Sequence, residues 1–153
     1  MSESSGLSRS PSADLIVNAW PVLEWLKDRE PAATVFGHML DQADANRLRL
    51  DICSVNLGEV FYSFAKEYSL QRAEQMLARF QTSPVRVVEA DTDLVFAAAR
   101  LKAKYPISYA DAFGAALSIR SGAPFLTGDE DFLKLEAAGL LRLRWIGKAR
   151  QIS

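Results

Sequence analysis

Apolar and polar positions divide the chain into short apolar runs separated by longer stretches with helical spacing. Leu15, Ile16 and Val17 form an apolar run that reads as a short buried strand, and it ends in the polar Asn18. Pro21 suits the first position of a helix, with Val22, Leu23 and Leu26 following at helical spacing. A second helix is predicted from Glu30 to about Ala45. RLRLDICSV alternates and then turns apolar, as a strand does. Asn56 and Glu59 make an N-x-x-E capping-box pattern, which opens a helix with the stripe Leu57, Val60, Phe61, Phe64 and Tyr68. Ser69 caps the next helix, Pro84 closes its connection, and VRVVEA is a strand. Asp91 caps a helix to about Lys104, which YPI breaks. A helix then starts at Ser108 and stops at Gly122. PFLT is a strand, GDEDF turns into a short helix ending near Gly139, and LRLRWIG is the last strand.

Strand and helix thus alternate, with helical hairpins between the early strands. The order predicts an α/β fold: a three-layer α/β/α sandwich around a mostly parallel sheet of about five strands. The serine-rich residues 1–13 offer nothing to bury and read as a disordered tail. Residues 14–147 form one domain, and 148–153 a C-terminal tail. No apolar run approaches the ~20 residues that a membrane helix needs. The single Cys53 cannot form an intrachain disulfide and falls in an apolar run. It reads as a core thiol in a reducing compartment, which makes the cytoplasm the default location.

Charge adds an asymmetry to this picture. The net charge is −1, but the chain from Leu140 onward carries Arg142, Arg144, Lys148 and Arg150 and no acid. A basic strip on an acidic body is a candidate contact for phosphate, against the plainer reading of a solvated tail.

The candidate chemistry lies in the acids. In open parallel sheets ligands bind at the carboxyl ends of the strands, near the point where strand order reverses. Asn18 ends the first strand, and Asp129 lies two residues past the fourth. Glu59 and Asp111 sit near the starts of helices entered from the same edge. Taken singly, Glu59 passes for a capping or first-turn glutamate, and Asp129 and Asp131 for turn and N-cap aspartates. Asp111 is harder to dismiss, because Ala112, Phe113, Ala115, Ala116, Leu117 and Ile119 make its helix apolar on most sides and no lysine or arginine stands near it. Clustered carboxylates repel unless a cation neutralises them, and oxygen ligands without histidine or thiolate suit Mg²⁺ or Mn²⁺. Such a centre supports hydrolysis of phosphodiesters. Other chemistries are poorly supplied. His38, the sole histidine, has no triad context, and neither glycine-rich phosphate-loop motif occurs.

LIVNAW, VNLGEVFYSF, SYADAFGAAL and FLTGDEDF occur in the order and approximate spacing of the PIN-domain ribonucleases. The compact size resembles the VapC-type toxins of bacterial toxin–antitoxin pairs. The resemblance implies a PIN-like fold and a Mg²⁺- or Mn²⁺-dependent endoribonuclease. It also implies a homodimer, and an antitoxin whose segment covers the acidic cleft. Carried over residue by residue, Asn18, Glu59, Asp111 and Asp129 are catalytic, with Asn18, through its carbonyl oxygen, Asp111 and Asp129 as metal ligands. Thr127 is an orienting hydroxyl, Asp131 an outer-shell acid, and the strip Arg142, Arg144, Lys148 and Arg150 an RNA contact. Asn18 departs from the pattern, standing where the family has its first catalytic aspartate. Two origins fit: a natural, weakened member, or an inactivating substitution. The rivals are a PIN-like module that binds RNA or protein without cutting, and a receiver-like phosphoacceptor, which would want a lysine that PFLTGDED lacks.

Overall fold

The computed structural model describes residues 12–149. Of the predicted N-terminal tail only Ser12 and Ala13 fall within that range, and Ala13 is buried; Arg150 and the rest of the C-terminal tail lie outside it. Five strands, β1 (Leu15–Val17), β2 (Leu50–Cys53), β3 (Arg86–Val88), β4 (Phe125–Thr127) and β5 (Leu143–Trp145), form one sheet in the order β3-β2-β1-β4-β5. Every pairing is parallel, with Ile16 opposite both Asp51 and Phe125.

Seven α-helices flank this sheet: α1 (Ala19–Leu26), α2 (Ala32–Asp44), α3 (Ser54–Glu67), α4 (Leu70–Phe80), α5 (Thr92–Lys104), α6 (Tyr109–Ser121) and α7 (Leu133–Ala137). Because side chains alternate across a strand, β1 sends Leu15 and Val17 into a core shared with α1–α4. Ile16 enters a second core, shared with α5–α7. The three-layer α/β/α reading holds, and the sheet is wholly rather than mostly parallel.

Several helix starts follow directly from local chemistry. The hydroxyl of Ser69 accepts from the amide of Arg72, and the carboxylate of Asp91 from that of Leu94. Ser108 does the same for Asp111. Gly122 ends α6 in the left-handed region at φ 69°, a conformation that glycine takes without steric penalty.

Two starts differ from expectation. α1 begins at Ala19 with Asn18 as its cap, so Pro21 is the third helical residue; its missing N–H is tolerated because first-turn amides have no partner within the helix. α3 begins at Ser54, straight off β2, with Cys53 in the cap position. Asn56 and Glu59 therefore form no capping box. Asn56 is fully buried inside the helix, and its side-chain amide donates to the carbonyl of Ala110 at 2.9 Å. Cys53 is buried, as its apolar run implied, and burial pushes its thiol pKa up.

Candidate active site

The chain runs outward from β1 to β2 and β3, then returns across the sheet to β4 and β5, so strand order reverses at β1 and β4. Such a reversal leaves a crevice at the carboxyl ends of the strands. Asn18 leaves β1 there, and the Thr127–Asp131 turn leaves β4.

Asn18 is 3% exposed. Its Oδ1 accepts the backbone N–H of Trp20 at 2.7 Å, and its Nδ2 is buried with no hydrogen-bond partner among the described residues. The orientation is chemically forced, since turning the amide over would set N–H₂ against N–H. The oxygen that an amide would offer a cation also carries the helix cap, which leaves it one lone pair. The atom left over is a donor, which cannot ligate a cation.

Past β4, the Thr127 hydroxyl accepts the amide of Asp129 at 3.0 Å, and Asp129 Oδ1 accepts the amide of Asp131 at the same distance. These two bonds fold the turn so that both aspartates project together. The indole of Trp20 lies against Gly128, where any side chain would collide with it.

From the other side of the crevice come α3 and α6. The Asn56 amide ties α3 to the first turn of α6, one residue before Asp111. Gly114 lets the two helices and β4 close, because a Cβ there would lie 2.7 Å from Phe125 and 2.9 Å from Asn56 Oδ1. Glu59 stands one turn beyond Asn56, with Oε1 buried and unpartnered. Asp111 is 8% exposed. One carboxylate oxygen each from Asp111, Asp129 and Asp131 lie within 4.8 Å of one another. Among the described residues no lysine or arginine pairs with any of the three.

The electrostatics follow from this crowding. Burial raises the pKa of Asp111, and the charges of Glu59, Asp129 and Asp131 raise it further against the opposing Ser108 hydroxyl, to about 6. Glu59 is raised too, first by burial and then by Asp129, with the Asn56 amide working against both. Carboxylates that hold protons above their ordinary range lack a positive partner. An all-oxygen set of three converging acids matches what a hard divalent ion takes, and the orphaned Glu59 oxygen points the same way.

Two residues change standing. Asp131, read from the sequence as an outer-shell extra, shares the cluster with Asp111 and Asp129. Asn56, read as a cap, braces the acids instead; a polar residue inside the apolar run Val55–Leu57 was the signal that it is buried. Arg142 donates to the carbonyl of Gly122 at the C-terminal end of α6, roughly 16 Å along that helix from Asp111. Arg144 is exposed on β5, opposite Leu126, and Lys148 lies beyond the strand's carboxyl end.

The PIN domain signature matches residues 21–138. The fold is similar to that of the sarcin–ricin loop cleaving toxin VapC20 of Mycobacterium tuberculosis, with TM-score 0.67 and 18% identity over 85% of this chain and 98% of that one. It is also similar to DNA-bound VapBC of Salmonella typhimurium, with TM-score 0.64 and 16% identity over 86% and 97%. VapBC2 of Rickettsia felis, bound to a promoter DNA fragment, gives TM-score 0.63 and 16% identity over 85% and 96%. No curated protein sequence matches. The signature spans well over half of the chain and the fold is shared from end to end of these neighbours: the chain belongs to the PIN-domain family.

Proposed function

We propose that this chain is a Mg²⁺- or Mn²⁺-dependent endoribonuclease, the toxin of a toxin–antitoxin pair, in a form weakened by Asn18. It acts in the cytoplasm as a homodimer held in check by an antitoxin protein. The observation that carries the reading is the convergence of Asp111, Asp129 and Asp131 beside the unpartnered Oε1 of Glu59, with no lysine or arginine among the described residues paired to the three aspartates. Its structural neighbours include a toxin that cleaves the sarcin–ricin loop and several VapBC pairs.

In this reading Asp111, Asp129 and Asp131 hold the ion. When bound, it supplies charge neutralisation at the phosphate and a lowered pKa for water. Thr127 keeps Asp129 aimed, through the bond to its amide. Glu59 takes the proton of the attacking water, a role suited to a carboxylate whose burial and neighbours make it a stronger base than usual. Asn18 contributes no charge, and its one amide oxygen is shared between the helix cap and the ion. Arg144 and Lys148 are the members of the strip offered to RNA phosphates, along with Arg150. The amide nitrogen at position 18 favours one rival, a PIN module that binds RNA or protein without cutting.

The deciding experiment is Asn18→Asp, which keeps side-chain volume and the cap while supplying a charged oxygen. Outer-shell changes alone alter metal affinity or activity by about 10–100-fold, so the variant should cleave RNA at least tenfold faster, only with Mg²⁺ or Mn²⁺. A folded, antitoxin-free Asn18→Asp protein that stays inert on several RNAs would hand the site to the binding-module reading.

A further inference from the structure

Gly58 has no structural reason to be glycine. It lies inside α3 and is exposed, and a Cβ built on it would meet nothing within 4 Å. Glycine in a helix interior costs roughly 0.5–1 kcal/mol relative to alanine. Gly114 offsets that penalty by letting elements pack; Gly58 packs against no other element among the described residues. The space that its missing side chain leaves faces solvent, immediately before Glu59.

The same strip of α3 carries two more exposed residues whose printed contact is with each other. Positions three and four apart share a helix face, so Tyr62 follows both Gly58 and Glu59, and Lys66 follows Tyr62. Side chains in a helix lean toward its N-terminus, which tilts the Tyr62 ring back over the Gly58–Glu59 turn. Tyr62 is 49% exposed, and the Lys66 ammonium stands 5.4 Å from the centre of its ring. Lys66 pairs with no carboxylate among the described residues, whereas the adjacent Glu67 is held by Lys27.

On this basis, and resting on the nuclease reading above, we infer that the Gly58–Tyr62–Lys66 strip of α3 is the track on which single-stranded RNA leaves the acidic cleft. Gly58 admits the sugar–phosphate backbone close to the helix beside Glu59, Tyr62 stacks a base on its open face, and Lys66 neutralises a phosphate about 12 Å along the axis from Gly58. The pairing of an aromatic face with an unpaired ammonium suits a strand of bases and phosphates. A second protein would find only one large apolar side chain on the strip.

The test measures binding of a fluorescent single-stranded RNA of mixed sequence by anisotropy in Mg²⁺, with strand integrity checked on a gel. Gly58→Ala should raise the unfolding temperature and weaken binding several-fold, opposite signs that a purely structural role does not produce. Tyr62→Ala should weaken binding about 5–100-fold, and Tyr62→Phe should change it less than about twofold. Lys66→Gln should lower the slope of log affinity against log salt by about 0.7. Unchanged binding in Gly58→Ala and Tyr62→Ala overturns the track and leaves the nuclease reading standing. Variants that lose self-association in step with RNA affinity also overturn it, assigning the strip to a second copy of the chain. Failure of the unsubstituted chain to bind RNA at all removes both readings.

Discussion

Asp51 and Asp111 are both aspartates that folding removes from water, at 4% and 8% exposure, yet they sit in opposite company. Asp51, inside β2, faces the guanidinium of Arg86 through two bonds of 3.0 and 2.7 Å. Asp111, in the first turn of α6, faces Glu59, Asp129 and Asp131. Burying a charge costs several kcal/mol unless a partner compensates it. The fold supplies that partner toward the amino-terminal edge of the sheet and withholds it at the carboxyl edge. A carboxylate completed within the chain holds β2 to β3; the one left incomplete belongs to the cluster proposed above to take an ion.

The contrast can be broken most forcefully at Asp51. Arg86→Met leaves that carboxylate buried and alone. The chain should lose roughly 2–3 kcal/mol in urea unfolding, less than a fully buried pair because Arg86 is half-exposed. A loss near zero would mean that Asp51 finds water, and would weaken the inference from Asp111 as well.

The opposite sign is expected at Asp111. Its carboxyl is held near 6 against an ordinary 3.8, so the folded chain binds that proton more tightly than the unfolded one. The resulting stabilisation is whole below about pH 4 and is lost as pH rises through 6. Without divalent metal, Asp111→Asn should therefore gain on the order of 2 kcal/mol at pH 7 over the unsubstituted chain, and lose most of its slope between pH 4 and 7. The same change should sharply weaken Mn²⁺ binding when both forms are titrated by calorimetry. A variant that binds Mn²⁺ as before would take Asp111 out of the site.

A smaller effect sharpens the comparison. Asn56→Ala removes the bond that joins α3 to α6, for a loss of about 1 kcal/mol. It should also weaken Mn²⁺ binding by loosening Glu59 relative to Asp111. The Asp51–Arg86 pair and the Asn56–Ala110 bond share no residue, so Asn56→Ala combined with Arg86→Met should be additive within ~0.5 kcal/mol.

Where the determinants are local, the sequence was readable. Ser69, Asp91 and Ser108 announce their helices because a cap needs only its own amides three residues on. Gly122 ends α6 for a reason contained in one residue. The misreading at Asn56 arose because β2 runs into α3 without a loop. The helix therefore begins before Asn56, and the pattern N-x-x-E falls inside it and marks no start. The alternation of elements implied a parallel sheet, but not the order that puts β1 between β2 and β4, since nothing in a strand names its neighbour. In the site, Glu59, Asp111 and Asp129 were legible as acids at one edge. That Asp131 joins them depends on the turn set by the Thr127 hydroxyl. That Asn18 spends its oxygen on Trp20 depends on where α1 begins.

The sheet order also governs when the acids meet. β1 is made first, yet its neighbour β4 lies more than a hundred residues later, where Ile16 pairs with Phe125. A chain emerging from the ribosome N-terminus first can build β1, β2 and β3 with their helices early. Asp129 and Asp131 cannot reach Asp111 until the last segments are out. Pairings over such separations are intrinsically slow to form. The first three strands and their helices can thus be in place while the acidic centre is still open, and it closes only once the chain through Asp131 has emerged.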